Sequence, residues 1–352
     1  MSNTLKARIL DECRPEKDGT SLYVLVDPSR NPALLTTAQA LSEEGSCLFL
    51  GDAKKEFEDD APWLFRCGDD GELVRYLIEE GLGKRWAVLI ESDQEFPQLF
   101  THLRKFVKIV DGDEDQIFWR FYDPFVIASQ LPFMTSEQRL FFFSGMRSLG
   151  VEMGGKAFVR YACQPDGRLH TRILEAVNDT VESSENDIAD VREIPTDLAP
   201  IRVEGARVRP MMHFTQSQID APLLYNRPAL VEHILETLDD DFRPSVGQID
   251  QQVLDQMISH GVSLAMFSYR IQDVEHIELF IDFMFRIAPG WHREPRLNQV
   301  LRADLSSAAK FERLADDDMA SAWDDAETYD DHREWLPAEI AAQVDAKGDV
   351  VR

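Results

Sequence analysis

Short apolar runs alternate with stripes at helical spacing over residues 21–150. Apolar runs of about four to eight residues are typical of strands covered on both faces, and apolar residues about every 3.6 positions indicate amphipathic helices. The predicted strands fall at 22–27, 47–50, 63–67, 86–90 and 116–122. Strands that alternate with helices predict an α/β fold whose N-terminal sheet is mostly parallel, with flanking helices.

The run at 116–122 predicts the central strand of that sheet. It is rich in aromatic residues, carries the single arginine Arg120, and ends at the pair Asp123-Pro124. Proline lacks the N–H that a sheet ladder needs, so the strand should stop there. A buried arginine is rarely tolerated without a partner. We therefore expect Arg120 to pair with a carboxylate or with carbonyl oxygens.

A helix-start signal follows the fourth predicted strand. Ser92 and Glu95 have the spacing of a capping box, and Pro97 suits the first turn of a helix. The apolar stripe that follows predicts a helix, with His102 and Arg104 beside or opposite its apolar face.

The pattern changes in the second half of the chain. Apolar runs at 157–163 and 169–174 flank a Pro-Asp-Gly turn, which predicts a β-hairpin. Residues 176–209 are polar and acidic and predict a linker. Later stripes at helical spacing need one another for burial, so they predict a smaller helical C-terminal lobe. The expected organisation is an α/β domain at 20–150, a hairpin and polar linker at 151–210, a helical lobe at 211–316 and an acidic tail at 317–352.

The formal net charge of −27 over 352 residues narrows the classes of partner. Nucleic-acid binding needs a basic surface that displaces counterions, so this charge argues against a nucleic-acid partner. It also argues against an anionic membrane surface. It favours solubility and attraction to basic partners.

The cysteines and the hydropathy pattern predict the compartment. No C-x-x-C pair is present, so the four cysteines are expected to be reduced; they are Cys13, Cys47, Cys67 and Cys163. The first residues lack the apolar core of a signal peptide, and no window approaches the length of a membrane span. We therefore expect a cytoplasmic protein without a membrane segment.

No cofactor motif is complete. The stretch from Gly150 to Lys156 has the spacing of a phosphate-binding loop, but Ala157 stands where a hydroxyl for Mg²⁺ is needed. The turn after Asp27 lacks the glycine pattern of a dinucleotide site. No cysteine lies near a histidine at metal-ligand spacing. We therefore expect no cofactor and no metal.

Two aspartates form the most enzyme-like pair in the chain. Asp27 and Asp123 both close predicted strands, where sites form in α/β sheets. With His102 and Arg120 nearby, they could form an acid–base cluster. In the other interpretation they cap turns and neutralise Arg104 or Arg120. The absence of an accompanying nucleophile or metal set favours this structural role.

Aromatic residues crowd the predicted helical lobe. A helix that is apolar almost all round, such as 277–287, is either deeply buried or faces a partner. The candidates for contact with a partner are Phe267, Tyr269, Phe280, Phe283 and Trp291.

Four segments of the first half together resemble one family. In order along the chain they are Leu22–Asp27, Ala61–Leu64, His102–Arg104 and Phe118–Pro124. Their sequence and spacing are similar to those of bacterial type VI secretion effector adaptors, also called effector chaperones (the Tap/Tec group). The resemblance covers residues 20–145, and Phe125 departs from it where an arginine is common. The motif positions that it implies are Asp27, Trp63, His102, Arg104, Arg120, Tyr122 and Asp123.

The resemblance implies a non-enzymatic role. Such adaptors hold a toxic effector in the cytoplasm and load it onto the VgrG spike, sometimes with a PAAR tip. The partners implied are a secreted effector, for which the acidic charge favours a basic toxin, and VgrG or PAAR. The alternative is a hydrolase that uses Asp27, His102 and Asp123 on a small phosphorylated substrate.

Overall fold

A computed structural model describes most of the chain, namely residues 4–13, 19–51, 57, 60–68, 71–112, 114–177, 180–188, 211–238 and 251–335. The chain divides into two compact units, Met1–Ile219 and Asp220–Arg352. Among the described residues, no helix combines the length and the apolar character that crossing a bilayer requires.

The described part of the first unit forms ten strands. They are β1 Ser21–Val26, β2 Ser42–Cys47, β3 Trp63–Cys67, β4 Ala87–Ser92, β5 Lys108–Val110, β6 Gln116–Phe118, β7 Met146–Met153, β8 Ala157–Cys163, β9 Leu169–Val177 and β10 Thr180–Ile188. Eight of them form one sheet in the order β10-β9-β8-β7-β4-β1-β3-β2. Every neighbouring pair in this sheet is antiparallel. The prediction of a mostly parallel sheet is therefore wrong.

Helices cover both faces of the sheet, as expected for an α/β unit. The helices are α1 Leu5–Glu12, α2 Pro32–Leu41, α3 Glu72–Gly81, α4 Phe96–Leu103, α5 Pro124–Gln130 and α6 Ser136–Phe142. The first three pack on one face, with Val24 and Leu89 of the sheet. The other three pack on the opposite face, with Tyr23, Leu25 and Ile90. The continuous apolar runs thus reflect burial on both faces, a condition that antiparallel strands meet here as well.

The predicted central strand at 116–122 is a second correction. Only its start, β6, is a strand, and it pairs with β5 in a separate two-stranded sheet. Trp119, Phe121 and Tyr122 follow in an irregular segment and are buried in the core. Their apolar character therefore comes from packing of the rings rather than from a place in the large sheet. The strand predicted at 47–50 lies earlier, as β2.

The capping box predicted at Ser92 and Glu95 is absent. Ser92 ends β4, and its hydroxyl accepts from the amide of Gln94 at 3.0 Å. Glu95 is the N-cap of α4 but makes no side-chain cap bond. The structure instead forms a capping box at α6, between Thr135 and Gln138.

The predicted hairpin is confirmed, and the sheet extends beyond it. Strands β8 and β9 pair in register from Ala157 opposite Glu175 to Cys163 opposite Leu169. Residues 180–188, part of the predicted linker, form β10 at the edge of the sheet. The remaining linker prediction, over 189–209, lies outside the described residues.

The second unit is helical where the structure describes it. The chain enters it through α7 Gln216–Leu224, and the further helices are α8 Arg227–Thr237, α9 Gln251–Ser263, α10 Val274–Arg286, α11 Pro295–Leu301, α12 Ser307–Leu314 and α13 Ala320–Ala326. Helix α9 runs through Gly261 into a π-helical turn at Leu264–Ser268. Part of the predicted acidic tail is also ordered, because Trp335 is buried in the core of this unit. Residues 336–352 lie outside the described part of the chain.

The turn of the β8–β9 hairpin yields a stability prediction. Gly167 has a φ of +82°, and a Cβ added there would lie 2.7 Å from Cα of Ser136. Gly154 has a φ of +60° and open space around such a Cβ. We expect Gly154→Ala to cost about 1 kcal/mol through backbone strain alone. Gly167→Ala should cost about 2 kcal/mol more, because the backbone of Ser136 must move.

Urea unfolding of the two variants and the wild-type protein measures this difference. Equal losses of unfolding free energy in both variants would show that the turn does not pack closely on Ser136.

Candidate functional site

Asp27 lies at the end of β1, where it caps a short turn. Its backbone N–H donates to the carbonyl of Trp86 at 3.0 Å. Its Oδ1 accepts from the hydroxyl of Ser29 at 2.6 Å and from the backbone N–H of Ser29 at 3.2 Å. The capped segment is the 3-10 turn Pro28–Arg30. Hydrogen bonds from neighbouring residues therefore already orient the carboxylate, in addition to its contacts with residues distant in sequence.

Asp123 plays the same role at the start of α5. Its Oδ1 accepts from the backbone N–H of Phe125 at 2.8 Å and, more weakly, from that of Val126 at 3.4 Å. Pro124 occupies the first helical position, where its missing N–H is not needed. The Asp-Pro pair thus begins a helix rather than ending a strand, because β6 already ends at Phe118.

Two arginines join these aspartates. Nη2 of Arg120 donates to Oδ2 of Asp27 at 2.7 Å. Arg30 donates to Oδ2 of Asp123, and its Nε lies 3.7 Å from Oδ2 of Asp27. We call Asp27, Arg30, Arg120 and Asp123 the Asp–Arg quartet. Its side-chain charges sum to zero, which compensates two carboxylates that are 0% and 2% exposed.

All four carboxylate oxygens of the quartet are engaged. Each Oδ1 accepts from local N–H or O–H groups, and each Oδ2 faces a guanidinium. A general base needs an oxygen within reach of a substrate proton. Neither carboxylate therefore has an oxygen free for a substrate proton. The side chains of Arg30 and Arg120 are 35% and 44% exposed.

Electrostatic interactions with Asp27 keep Arg120 charged. Burial lowers the pKa of Arg120, but the hydrogen bond and the negative charge of Asp27 outweigh burial, and the pKa lies above its ordinary value. Burial raises the pKa of the neighbouring Tyr122 to about 12, so its hydroxyl stays protonated near neutrality. The Arg120 guanidinium also lies 5.7 Å from the centre of the Tyr122 ring.

Arg120 forms the ion pair expected for it, but its side chain is 44% exposed, so the prediction that it is buried is wrong. Arg30 was missed. Arg30 lies in a polar turn that carries no hydrophobic pattern, so its sequence neighbourhood does not distinguish it from a solvated arginine. The available signal was its position three residues after Asp27, inside a turn that Asp27 caps.

His102 lies elsewhere in the first unit. Its Nε2 donates to the carbonyl oxygen of Phe142 at 2.9 Å, and its ring packs edge-on against Phe106. Burial lowers its pKa, which favours the neutral ring. Within the described residues, no hydrogen bond joins His102 to Asp27 or Asp123. The structure therefore does not bring together the three residues of the predicted acid–base cluster.

The other motif positions belong to packing. The Arg104 guanidinium lies 5.6 Å from the centre of the Phe100 ring. Trp63 lies in β3 and stacks on Phe65 at 5.9 Å. Among the described residues, no group of three or more His, Cys, Asp or Glu side chains could hold a metal ion.

The partner-binding candidates of the second unit are mostly interior. Tyr269, Phe280 and Trp291 are buried, and Phe283 is half-buried between Trp291 and Trp323. Tyr269, Phe280 and Trp291 therefore belong to the core of the unit, with Phe283 packed against it, and the exposed surface expected for these rings is not present. Phe267, on the π-helical turn, is 74% exposed.

A buried polar cluster lies beside these rings. The Tyr269 hydroxyl lies 2.8 Å from Nδ1 of His292 and accepts from Nδ2 of Asn298 at 3.0 Å. The ammonium of the buried Lys310 donates to the backbone carbonyl of Tyr269 at 2.6 Å. Burial, with nearby positive charges, lowers the pKa of His292 to about 4. A buried neutral histidine is thus built into the second unit.

An exposed aromatic patch lies in the first unit. Leu50, Phe57 and Phe118, which we call the aromatic patch, are 52%, 38% and 44% exposed. The Phe57 and Phe118 rings contact each other at 6.1 Å, and both rest on the buried Phe49. Lys108 lies over Phe118, with Nζ 5.0 Å from its centre. This surface was not predicted, because Phe118 belongs to a run that predicts a buried strand.

The pKa of His292 predicts how acid affects stability. The unfolded chain takes up a proton as the pH falls below about 6.5, while folded His292 resists protonation until about pH 4. The contribution of His292 to the free energy of unfolding therefore falls by about 2 kcal/mol between pH 7 and pH 5.

Denaturant unfolding at the two pH values measures this loss. His292→Gln should show a shallower loss than the wild-type protein, whereas His213→Gln, at an exposed histidine, should keep the wild-type loss. An unchanged loss in His292→Gln would mean that His292 is not buried as a neutral ring.

Comparison with protein-family models gives a match. Residues 22–140 match a family model described as "Domain of unknown function (DUF4123)". This stretch contains the whole Asp–Arg quartet, His102 and the whole aromatic patch, and it ends well before the second unit. No curated protein and no solved structure matches the chain.

Proposed function

We propose that this protein is a cytoplasmic adaptor of a bacterial type VI secretion system. In this role it binds a toxic effector and loads it onto a VgrG or PAAR spike protein without catalysing a reaction. Two observations from the sequence support the proposal. Residues 22–140 match a domain family, and within that stretch four motif segments resemble the effector adaptors in order and spacing.

The closed quartet favours this role over the hydrolase alternative. A hydrolase would need Asp27, His102 and Asp123 to converge on an accessible substrate. Both carboxylates are instead buried and saturated with donors, and His102 donates to a backbone carbonyl. Such an arrangement braces the end of β1 against the start of α5.

The aromatic patch is the structural feature that most directly supports a role in binding another protein. Energetic centres of protein interfaces are rich in aromatic residues, and exposed apolar clusters mark surfaces that bind other proteins. Leu50, Phe57 and Phe118 are exposed, and the Phe57 and Phe118 rings contact each other. The buried Phe49 packs against both the Phe57 ring and the Phe118 ring. Binding through such a patch needs no catalytic residue.

The acidic charge of the chain suits the proposed cargo. A net charge of −27 attracts a basic toxin or a basic segment of one, and it speeds the encounter between the two proteins. This electrostatic part should weaken as salt is raised. Contacts through the aromatic patch should depend less on salt, because apolar burial is not screened.

Capture from the native host tests the proposal. We expect the tagged full chain to co-purify with a toxic effector and with VgrG or PAAR, as identified by mass spectrometry. Replacing two rings of the patch, Phe57→Ala with Phe118→Ala, should reduce the recovered effector at least about fivefold, since each anchor ring contributes about 1 kcal/mol or more.

Leu140→Ala provides the control. Leu140 is 42% exposed in the same unit but is not among the residues of the patch, so this variant should recover as much effector as the wild-type chain. Circular dichroism should confirm that all variants are folded. The proposal fails if the wild-type chain captures neither an effector nor a spike protein. Equal recovery by the double variant would remove the patch as the binding surface.

A further inference from the structure

Two aromatic side chains of the second unit lie mostly in solvent. Phe267 and Tyr225 are each 74% exposed, the highest values among the large apolar side chains of the described residues. Phe267 lies on the π-helical turn Leu264–Ser268, and Tyr225 directly follows α7. Turns of the π type are frequent at functional sites. An exposed aromatic residue is not by itself a binding site, so its neighbours decide what it can bind.

Arg227 packs against the exposed Phe267 ring. Its guanidinium lies 5.8 Å from the centre of that ring. Nη1 lies 3.7 Å from Sδ of Met266, and Nη2 donates to the hydroxyl of Ser263 at 3.3 Å. Arg227, at the start of α8, thus reaches the end of α9 and the turn that follows it. We call Arg227, Met266 and Phe267 the Arg227–Phe267 surface, and Tyr225 flanks it two residues before Arg227.

Arg227 is a half-buried cation without a carboxylate. The chain has 64 acidic against 37 basic residues, and other arginines of this unit, such as Arg286 and Arg313, pair with aspartates. Within the described residues, Arg227 forms no ion pair, and its contacts are a ring, a thioether and a hydroxyl. Burial lowers its pKa. Partial burial of a cation without a counter-ion is unfavourable, so a carboxylate from another molecule would be stabilised here.

We propose that the Arg227–Phe267 surface binds a segment of another protein in which a carboxylate lies next to an apolar side chain. The apolar side chain would pack on Phe267 and Met266, and the carboxylate would accept from the guanidinium of Arg227. Arginine beside aromatic residues is typical of the energetic centres of interfaces. A basic segment would be repelled by Arg227, so this surface selects a different partner from the one that the net charge attracts.

Two other occupants are disfavoured by charge. A second copy of this chain is acidic, but a net charge of −27 on each copy opposes their approach. A nucleic acid offers anions as well, but its dense negative charge opposes binding to such a chain more strongly than a short segment with one or two carboxylates does. The proposal does not rest on the secretion role or on the aromatic patch.

Selection from a random peptide library displayed on phage tests this inference with the full chain as the target. Peptides with Asp or Glu beside an apolar residue should be at least about threefold more frequent after selection than in the unselected library, because the ion pair with Arg227 favours them. The net charge of the protein acts against this preference, so general electrostatic attraction cannot produce it.

Two variants locate the preference. Selection on Arg227→Gln should lose the enrichment of Asp and Glu while apolar residues are still selected. Arg286→Gln removes the same charge from an exposed arginine of α10 that already pairs with Asp282, so it should keep the enrichment. A variant that failed to fold would lose both preferences together, which distinguishes misfolding from the loss of one ion pair.

The contribution of the ring is measured with the most enriched peptide. It is labelled with fluorescein, and its binding to the full chain is followed by anisotropy. Phe267→Ala should weaken binding at least about fivefold, because it removes an aromatic anchor. Leu305→Ala, at a residue 47% exposed in the same unit, should weaken it less than about twofold.

Four results would overturn the proposal. They are a selection on the wild-type chain without enrichment of Asp or Glu, an enrichment that persists in Arg227→Gln, equal binding by Phe267→Ala and the wild-type chain, or a dimer of the full chain that Phe267→Ala dissociates. The last result would make a second copy the occupant. None of these experiments uses an effector or a spike protein, so this inference and the adaptor proposal fail separately.

Discussion

Two buried carboxylates need positive charge within reach, and this requirement joins distant parts of the first unit. Asp27 and Arg120 are 93 residues apart in sequence, as are Arg30 and Asp123. The two pairs cross-link the end of β1 and its capped turn to the segment that begins α5. Removing either partner of a buried pair leaves an uncompensated charge, so the four residues are expected to act as one unit. The connection thus fixes the end of an interior strand of the sheet relative to the start of α5.

Much of the fold could be predicted from local pattern. The strands β1, β3 and β4, the β8–β9 hairpin and helix α10 all lie where apolar runs or stripes indicate them. Strand direction could not be predicted. An apolar run shows that both faces of a strand are buried, but it does not show whether the neighbouring strands are parallel or antiparallel. Residues 180–188 could not be predicted either. These residues form the edge strand β10, whose polar sequence has no apolar period. The strand forms because each of its residues pairs with a residue of β9.

The candidate site was predicted in part. The pairing of Arg120 with a carboxylate was predicted on the assumption that the arginine is buried, but its side chain is 44% exposed and the buried partner is Asp27. The role of Arg30 depends on a contact across 93 residues. The aromatic residues show the same limit. Composition indicates that Phe118 and Trp291 are apolar and large, but only tertiary packing decides that the first is 44% exposed and the second fully buried. Exposed aromatic surfaces of this kind depend on which apolar residues the core leaves uncovered.

A double-mutant cycle on Asp27 and Arg120 tests the central claim, namely that these charges brace the frame. The unfolding free energies of Asp27→Asn, Arg120→Met and the double variant should show a coupling of at least about 1 kcal/mol, with Asp27→Asn alone costing about 2 kcal/mol or more. A carboxylate kept for chemistry is often held at a cost to stability, so its removal stabilises the protein. Unchanged or increased stability in Asp27→Asn, with no coupling to Arg120, would contradict the account.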